Sequence, residues 1–159
     1  MDEILEILEK NGRASEQDIA RMLGKSVEEI RAAIKKFEDD NVIVGYNTLI
    51  NWEKSDTETV TALIELKVTP QRGQGFDKVA ERIYRYPQVK ACYLMSGGFD
   101  LTVIIEGKSM KEVALFVAEK LAPLEAVLST ATHFVLKKYK DKGVIFEDKG
   151  GDDREAVIL

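Results

Sequence analysis

The first fifty residues carry three stretches with helical spacing of apolar side chains, separated by short polar breaks. This pattern predicts a helix over residues 2–10, a second helix that starts after Ser15, and a third that follows closely. Gly24 suits the C-cap of the second helix, and Ser26 with Glu29 has the spacing of a capping box that opens the third. Two helices joined by so short a turn predict a helix-turn-helix unit.

The segment after the third helix predicts a short strand and a turn. Asn41 tolerates a positive φ, residues 42–44 are Val-Ile-Val, and Gly45 suits a turn. Helix-helix-helix-strand is the element order of a winged helix. We therefore expect a winged helix-turn-helix domain over residues 1–46, followed by a polar linker over residues 47–59.

From residue 60 the hydrophobic period changes from helical to alternating. Strands are predicted at residues 60–68, 89–96, 101–106 and 127–139, with helical stripes after Phe76 and after the Ser109–Glu112 capping box. Gly97 and Gly98 predict a tight hairpin turn. The order β-α-β-β-α-β predicts a ferredoxin-like α+β domain over residues 60–140.

One face of such a sheet lies under the helices, and the other face needs a cover. A second copy of the same sheet is the simplest cover, so we expect at least a homodimer. Residues 141–159 form a C-terminal tail, within which residues 143–146 are expected to extend the sheet. The rest of the tail is acidic and ends in Ala-Val-Ile-Leu, which predicts a contact with a partner or with a neighbouring subunit.

Composition narrows the possible functions. The 159 residues are 45% hydrophobic and 32% charged, which suits two small domains with cores of their own. A net charge of −5 argues against a dominant non-specific nucleic-acid binder but allows a local basic face. No apolar run approaches the roughly 20 residues of a membrane span, and the acidic start is unlike a signal peptide. We expect a cytoplasmic protein that makes no membrane contact.

The chain has one cysteine, Cys92, and one histidine, His133. A single cysteine excludes an internal disulfide, and the pair cannot supply a zinc site of the Cys/His type. No nucleophile-elbow pattern accompanies His133. Cys92 and His133 are therefore interpreted as structural residues, and we predict no catalytic residue, metal or cofactor.

The third helix has a polar outward face on which Arg31 and Lys35 lie one turn apart. Together they are placed to reach phosphates or base edges of DNA. The alternative is an ordinary solvated face, because Glu28 with Arg31 and Lys35 with Asp39 are spaced for surface ion pairs.

The N-terminal segment resembles the opening of Lrp/AsnC transcription regulators. The resemblance rests on Asp2, Ile4, Leu5, Leu8, residues 11–15, Ile19-Ala20, Leu23-Gly24 and Ser26, then Ile34, Phe37-Glu38, Val42-Ile43 and Gly45-Tyr46. It implies that the third helix reads double-stranded DNA, with a binding set of Lys25, Ser26, Arg31, Lys35 and Lys36. The chain departs from the family pattern at Ala33, where arginine is usual, and at Asn41, where glycine is usual.

The second domain resembles the effector-binding domain of the same family, through residues 89–104 and through Thr130 and Thr132. The resemblance implies an amino-acid or related effector bound between subunits, and even-numbered assemblies larger than a dimer. The site it implies consists of Gly97, Gly98, Asp100, Thr130 and Thr132. The glycines expose backbone amides to a carboxylate, and the acid suits an ammonium group. The alternative is a plain hairpin with β-forming threonines.

The leading function is therefore a DNA-binding transcription regulator that responds to a small metabolite. One alternative keeps the fold as a metabolite-sensing oligomer with weak or no DNA binding. A third is an enzyme that resembles sirohaem decarboxylases, which would need cations such as His133, Arg82, Arg85 and Lys90 around a tetrapyrrole carboxylate.

Overall fold

The computed structural model describes residues 2–70 and 72–146, and the chain divides between Ile50 and Asn51 into two compact units. The first unit contains the three predicted helices α1 (Asp2–Lys10), α2 (Glu16–Leu23) and α3 (Val27–Asp39). Their apolar faces form one small core, whose buried members are Ile4, Ile19, Ala20, Ile30 and Phe37.

The predicted caps of α2 and α3 are confirmed. The hydroxyl of Ser15 accepts the N–H of Asp18 at 3.1 Å, and Gly24 ends α2 with a φ of 64°. Ser26 Oγ accepts the N–H of Glu29 at 3.2 Å, while Glu29 Oε2 accepts the N–H of Ser26 at 2.8 Å. Hydrogen bonds from the backbone N–H and the hydroxyl of Ser26 lower the pKa of the Glu29 carboxylate. The stability that this carboxylate contributes is present above the ordinary glutamate pKa and is lost as pH falls through the lowered value.

The prediction of a wing strand at residues 42–44 is wrong, because these residues do not form a strand in the described part of the chain. The N–H groups of Val42 and Ile43 both donate to the carbonyl of Phe37, at 2.8 and 3.0 Å, and so close the C-terminus of α3 instead of joining a ladder. Asn41 has a φ of 54°, the left-handed conformation in which glycine is also at home. Val42 and Val44 are exposed, while Ile43 between them packs against the core of the first unit.

The second unit has the predicted βαββαβ order, which confirms the ferredoxin-like fold. Its elements are β1 (Val60–Val68), α4 (Asp77–Tyr84), β2 (Val89–Leu94), β3 (Leu101–Gly107), α5 (Met110–Phe116) with a π-helical turn (Val117–Leu121), and β4 (Val127–Phe134). The four strands form one antiparallel sheet in the order β2-β3-β1-β4.

Alternation along the central strands separates the two faces of the sheet. Ala62, Ile64 and Leu66 of β1 are fully buried in the core with α4 and α5. The ring of Tyr86, just after α4, packs edge to face against that of Phe116 in α5, with centroids 5.3 Å apart. The other face is formed by residues that pair at the alternate positions: Thr61, Leu63, Glu65, Lys67, Ala91, Tyr93, Thr102, Ile104, Glu106, Ser129, Ala131 and His133.

Two strand predictions differ from the structure. β4 stops at Phe134, opposite Ala62 of β1, instead of at residue 139, although the N–H of Val135 still donates to the carbonyl of Thr61 at 2.9 Å. Residues beyond it form a separate hairpin of β5 (Lys140–Asp141) and β6 (Val144–Ile145), so the expected extension of the main sheet is wrong. The predicted tail contact lies at residues 156–159, outside the described residues.

The hairpin between β2 and β3 is confirmed, but its turn is wider than predicted. The N–H of Met95 donates to the carbonyl of Asp100 at 2.8 Å, which leaves four residues in the loop. Gly97 has a φ of 126°, outside the left-handed helical values that a two-residue hairpin turn requires. None of the helices within the described ranges has the length and apolar character needed to cross a bilayer.

Candidate DNA-binding and effector sites

The outward face of α3 is built by the burial of its opposite face. Ile30 and Phe37 are buried in the core of the first unit, and Ala33 and Ile34 pack against that core. The remaining positions between them, residues 31, 32, 35 and 36, are exposed to solvent. Arg31, Lys35 and Lys36 are all exposed, as predicted from the helical period. The two basic positions Arg31 and Lys35 remain one turn apart on a helix that is capped at its start.

Each of these three cations is paired with a carboxylate. Arg31 donates from Nε and Nη2 to Oε2 of Glu16, at 2.9 and 2.8 Å, so the predicted pairing with Glu28 is wrong. Lys35 pairs with Asp39 at 2.9 Å, as predicted from their spacing. Lys36 pairs with Asp40 in the same i, i+4 geometry.

These ion pairs define what DNA must displace. The hydrogen bond with Glu16 and its negative charge raise the pKa of Arg31, and Asp39 raises the pKa of Lys35 in the same way. The cations are therefore fully charged at neutral pH, and a phosphate would have to replace a carboxylate as their partner. Residues 1–50 hold 11 acidic and 7 basic side chains, so this exchange takes place in a repulsive surrounding field.

The remaining predicted DNA-binding residues lie at the turn between α2 and α3. Lys25 and Ser26 are both exposed there. The hydroxyl of Ser26 is engaged as the acceptor of the cap bond, and its N–H donates to Glu29. Ser26 therefore positions the start of α3, while Lys25 presents its charge beside it.

Removing the competitor of Arg31 is expected to strengthen DNA binding. Glu16→Gln keeps the size of the side chain but removes the negative charge that holds the guanidinium. Because exposed ion pairs are weak, we expect a gain in DNA affinity of about fivefold or less at low salt. Glu9→Gln, an exposed change of equal charge on α1, is the matched control. Equal DNA affinities of the two variants in fluorescence anisotropy would show that Glu16 does not compete with DNA for Arg31.

The predicted effector site divides into two parts. An added Cβ at Gly97 or Gly98 would meet no atom within 4 Å, so the loop backbone is open to an approaching ligand. Asp100 ends the loop in a half-buried position, where Oδ2 accepts the N–H of Val68 at 2.8 Å. Its own N–H donates to the carbonyl of Leu66 at 2.9 Å, so Asp100 also fastens the loop to the end of β1.

Thr130 and Thr132 lie on the far side of β1 from Asp100. They pair with Leu66 and Ile64, so both side chains face the helix-covered side of the sheet and are half-buried. Strands β3 and β4 flank β1, which separates them by about 10 Å at the usual strand spacing. One protomer therefore brings the glycines and Asp100 together but leaves the threonines apart from them.

Two contacts at these sites were not anticipated from the sequence. The Asp100–Val68 bond joins residues 32 apart, and no local pattern announces it. His133 lies on the open sheet face with Nε2 3.6 Å from Oε2 of Glu65, on the neighbouring strand. Cys92 packs against the second core, and burial raises the pKa of its thiol, as expected of a structural residue.

Family models match both parts of the chain. A winged helix-turn-helix DNA-binding model matches residues 3–44, and the Lrp/AsnC ligand binding domain matches residues 61–145. The two matches together span most of the sequence, and each coincides with one of the sites described above.

Individual proteins support the same assignment. The chain is 54% identical to the uncharacterized HTH-type transcriptional regulator YugG of Bacillus subtilis, over 98% of this chain and 94% of that protein. It is 27% identical to the leucine-responsive regulatory protein of Haemophilus influenzae, over 86% of this chain and 82% of that protein. A transcriptional regulator of Neisseria meningitidis, solved as a complex with L-Met, has a similar fold with a TM-score of 0.71 and 22% identity, covering 87% of this chain and 89% of that one.

Proposed function

The chain belongs to the Lrp/AsnC family of transcriptional regulators, and from that premise we propose that α3 binds double-stranded DNA under the control of an amino-acid effector. The family consists of regulators, so the chain is a regulator and not a sirohaem decarboxylase. The proposed division keeps residues 1–46 for DNA, 47–59 as linker, 60–140 for effector and oligomerisation, and 141–159 as tail.

The observation that carries the DNA-binding role is the outward face of α3. Its cations are exposed, spaced one turn apart and held on a helix whose N-terminus is capped. A mobility-shift assay with the DNA upstream of the protein's own coding region, hereafter the operator, tests this role. A scrambled duplex of the same length is the control, and equal shifts of both would contradict sequence-specific binding.

We propose that the loop containing Gly97 and Gly98, together with Asp100, binds an amino acid. A relative of the same fold is known in complex with L-Met, which supports an amino acid as the class of ligand. Free backbone at Gly97 and Gly98 suits an α-carboxylate, and the second carboxylate oxygen of Asp100 suits an α-ammonium group. Because Thr130 and Thr132 lie beyond β1, we propose that a second subunit completes the site.

Asp100→Asn separates the two roles of this residue. The amide oxygen can still accept the N–H of Val68, so the loop should remain fastened, but the charge that attracts an ammonium group is gone. We expect effector affinity to fall at least tenfold, since charge-assisted hydrogen bonds are about twice as strong as neutral ones. Calorimetric titration of the parent with the twenty amino acids identifies the ligand, and thermal melting should show little change in Tm.

Asp100→Ala is the comparison for that experiment. It leaves the N–H of Val68 without its acceptor, which costs about 1–3 kcal/mol of folding stability where the group is buried. Loss of effector binding in Asp100→Ala together with full binding in Asp100→Asn would assign this residue to the fold alone.

We propose a homodimer formed through the open face of the main sheet. Leu63 and Ile104 are half-buried apolar residues at its centre, and Tyr93 beside them is 56% exposed. Thr102 is only 6% exposed on the same face, and its hydroxyl has no partner among the described residues. A facing copy of the sheet would cover the apolar residues and offer polar groups to that hydroxyl.

A second candidate is a metabolite-sensing oligomer that binds DNA weakly or not at all. The ion pairs of Arg31, Lys35 and Lys36, within a segment of net negative charge, favour it. The two candidates differ in one measurement, because only the regulator shows operator binding that exceeds its binding to the scrambled duplex.

A further inference from the structure

Four lysines of the second unit lie together in one short segment. Lys137, Lys138, Lys140 and Lys142 lie within six residues and are interrupted by a single acid, Asp141. The whole chain carries a net charge of −5, so this segment is a local exception to its surroundings. These four residues are called the lysine hairpin below.

The lysine hairpin differs from α3 in how its charges are used. Within residues 2–70 and 72–146, none of its four ammonium groups forms an ion pair with a carboxylate, whereas all three cations on the outward face of α3 do. Lys137 lies with Nζ 5.0 Å from the centre of the Tyr139 ring, within the range of a cation–π contact. An anion therefore meets these lysines without having to displace a carboxylate from the described chain.

The backbone presents the lysines on an ordered support. Lys140 pairs with Ile145 and Asp141 with Val144, and the N–H of Phe146 donates to the carbonyl of Tyr139 at 2.9 Å. Lys142 and Gly143 form the turn with φ values of 44° and 82°, the signs of a type I′ turn. Asparagine or glycine is the usual residue at the position of Lys142, so here the turn places a long cationic side chain at its tip.

A cavity of about 300 Å³ lies at the base of the hairpin. Its lining consists of Asn51, Glu53, Lys54, Lys137, Lys138, Tyr139 and Phe146. Lys140 and Lys142 lie outside this lining and continue the positive charge along the hairpin. A small anion would occupy only the cavity, whereas an extended polyanion can meet the whole set of charges.

We propose that the lysine hairpin is a second DNA contact, which binds the phosphate backbone without reading sequence. This inference rests on the proposed DNA-binding function, because that function supplies the polyanion. Lysine ammonium groups bind phosphates as point charges, and each neutralised phosphate releases condensed counterions. The contact offsets the net negative charge of the first fifty residues and adds affinity for any duplex.

The test replaces Lys137, Lys138 and Lys140 by glutamine and Lys142 by asparagine, which tolerates the left-handed turn. DNA affinity is measured by anisotropy across a series of salt concentrations, with the operator and with a scrambled duplex. Since each phosphate contact contributes about 0.9 to the slope of log K against log salt, we expect the slope to become shallower by about 2 to 3.5. The affinity for both duplexes should fall by the same factor, at least about tenfold near 0.1 M salt.

The matched control changes four exposed lysines elsewhere in the second unit to glutamine: Lys90, Lys108, Lys111 and Lys120. It has the same net charge as the test variant and should retain most of the parent's slope. A triple variant that keeps the half-buried Lys138 guards against loss of folding, which circular dichroism monitors.

Equal slopes and affinities for the parent and the test variant would overturn the proposal, as would an equal loss in the matched control. Binding of inorganic phosphate to the parent alone, with duplex affinity unchanged in the variant, would also overturn it and assign a small anion to the cavity. If the proposed regulator function is wrong, the result is a different one: the parent protein binds the operator no more tightly than the scrambled duplex. The comparison on the scrambled duplex decides the role of the lysine hairpin in either case.

Discussion

Replacing both Arg31 and Lys35 by alanine is expected to lower operator affinity by about a hundredfold. Both side chains lie on the outward face of α3, and a good base contact distinguishes a right from a wrong base by roughly ten- to a hundredfold. In the parent protein these two side chains contribute less to DNA affinity than free cations would, because DNA must first displace Glu16 and Asp39. The loss should be larger for the operator than for a scrambled duplex, since base contacts carry sequence information.

Lys108→Ala with Lys111→Ala is the control for that experiment. Both residues are exposed, and their removal changes the net charge of the chain by the same amount. Operator affinities that match among the parent, the control and the α3 variant at several salt concentrations would show that α3 is not the reader. The α3 variant should lose more affinity for the operator than for the scrambled duplex, whereas the lysine hairpin variant should lose affinity for both equally. This difference distinguishes sequence-specific base contacts from contacts with the phosphate backbone.

Ile104→Glu is expected to convert the proposed dimer into a monomer at micromolar concentration. Ile104 lies at the centre of the open sheet face, opposite Leu63 on β1. In a two-fold interface the carboxylate appears twice, and each unpaired buried charge costs several kcal/mol. The dissociation constant should therefore rise by at least about a hundredfold.

The matched control is Leu115→Glu, which places the same carboxylate on an apolar position of α5 that is 46% exposed. Sedimentation equilibrium should find the control assembled like the parent and Ile104→Glu monomeric, with unchanged helical content in both. A dimer that survives Ile104→Glu would move the interface to another surface.

Local signals predicted the helices of this protein well. The cap of α3 depends on Ser26 and Glu29, three residues apart, and both hydrogen bonds form as the spacing indicates. The capping box expected at Ser109 and Glu112 forms only in part, because the Glu112 carboxylate accepts the N–H of Lys108 instead of that of Ser109. The acceptor therefore bonds to the N–H one residue earlier than the spacing predicts, although the helix begins at the predicted position.

Strands were predicted less well because their extent depends on distant partners. The Val-Ile-Val sequence at residues 42–44 has high β propensity, yet the described chain offers no neighbouring strand and its amides bond to Phe37. β4 ends at Phe134, opposite Ala62 of β1, although the sequence pattern predicted a strand to residue 139.

The candidate sites show the same division between local and distant information. Helical periodicity was sufficient to place Arg31 and Lys35 on the outward face, but the partner of Arg31 is Glu16, 15 residues away on another helix. Asp100 was expected from its place beside two glycines, while its bond to Val68 depends on the sheet. The separation of Thr130 from Asp100 follows from strand order, which local patterns do not determine.

The most direct test of the account is the operator affinity measured with and without the amino acid identified by calorimetry. If effector and DNA binding are coupled, saturating effector should change the operator dissociation constant by about fivefold or more, and saturating operator should change the effector constant by the same factor. Operator binding that exceeds binding to the scrambled duplex and responds reciprocally to the effector is the predicted result. Binding no tighter than to the scrambled duplex, or an operator constant unchanged by saturating effector, would contradict an effector-controlled regulator.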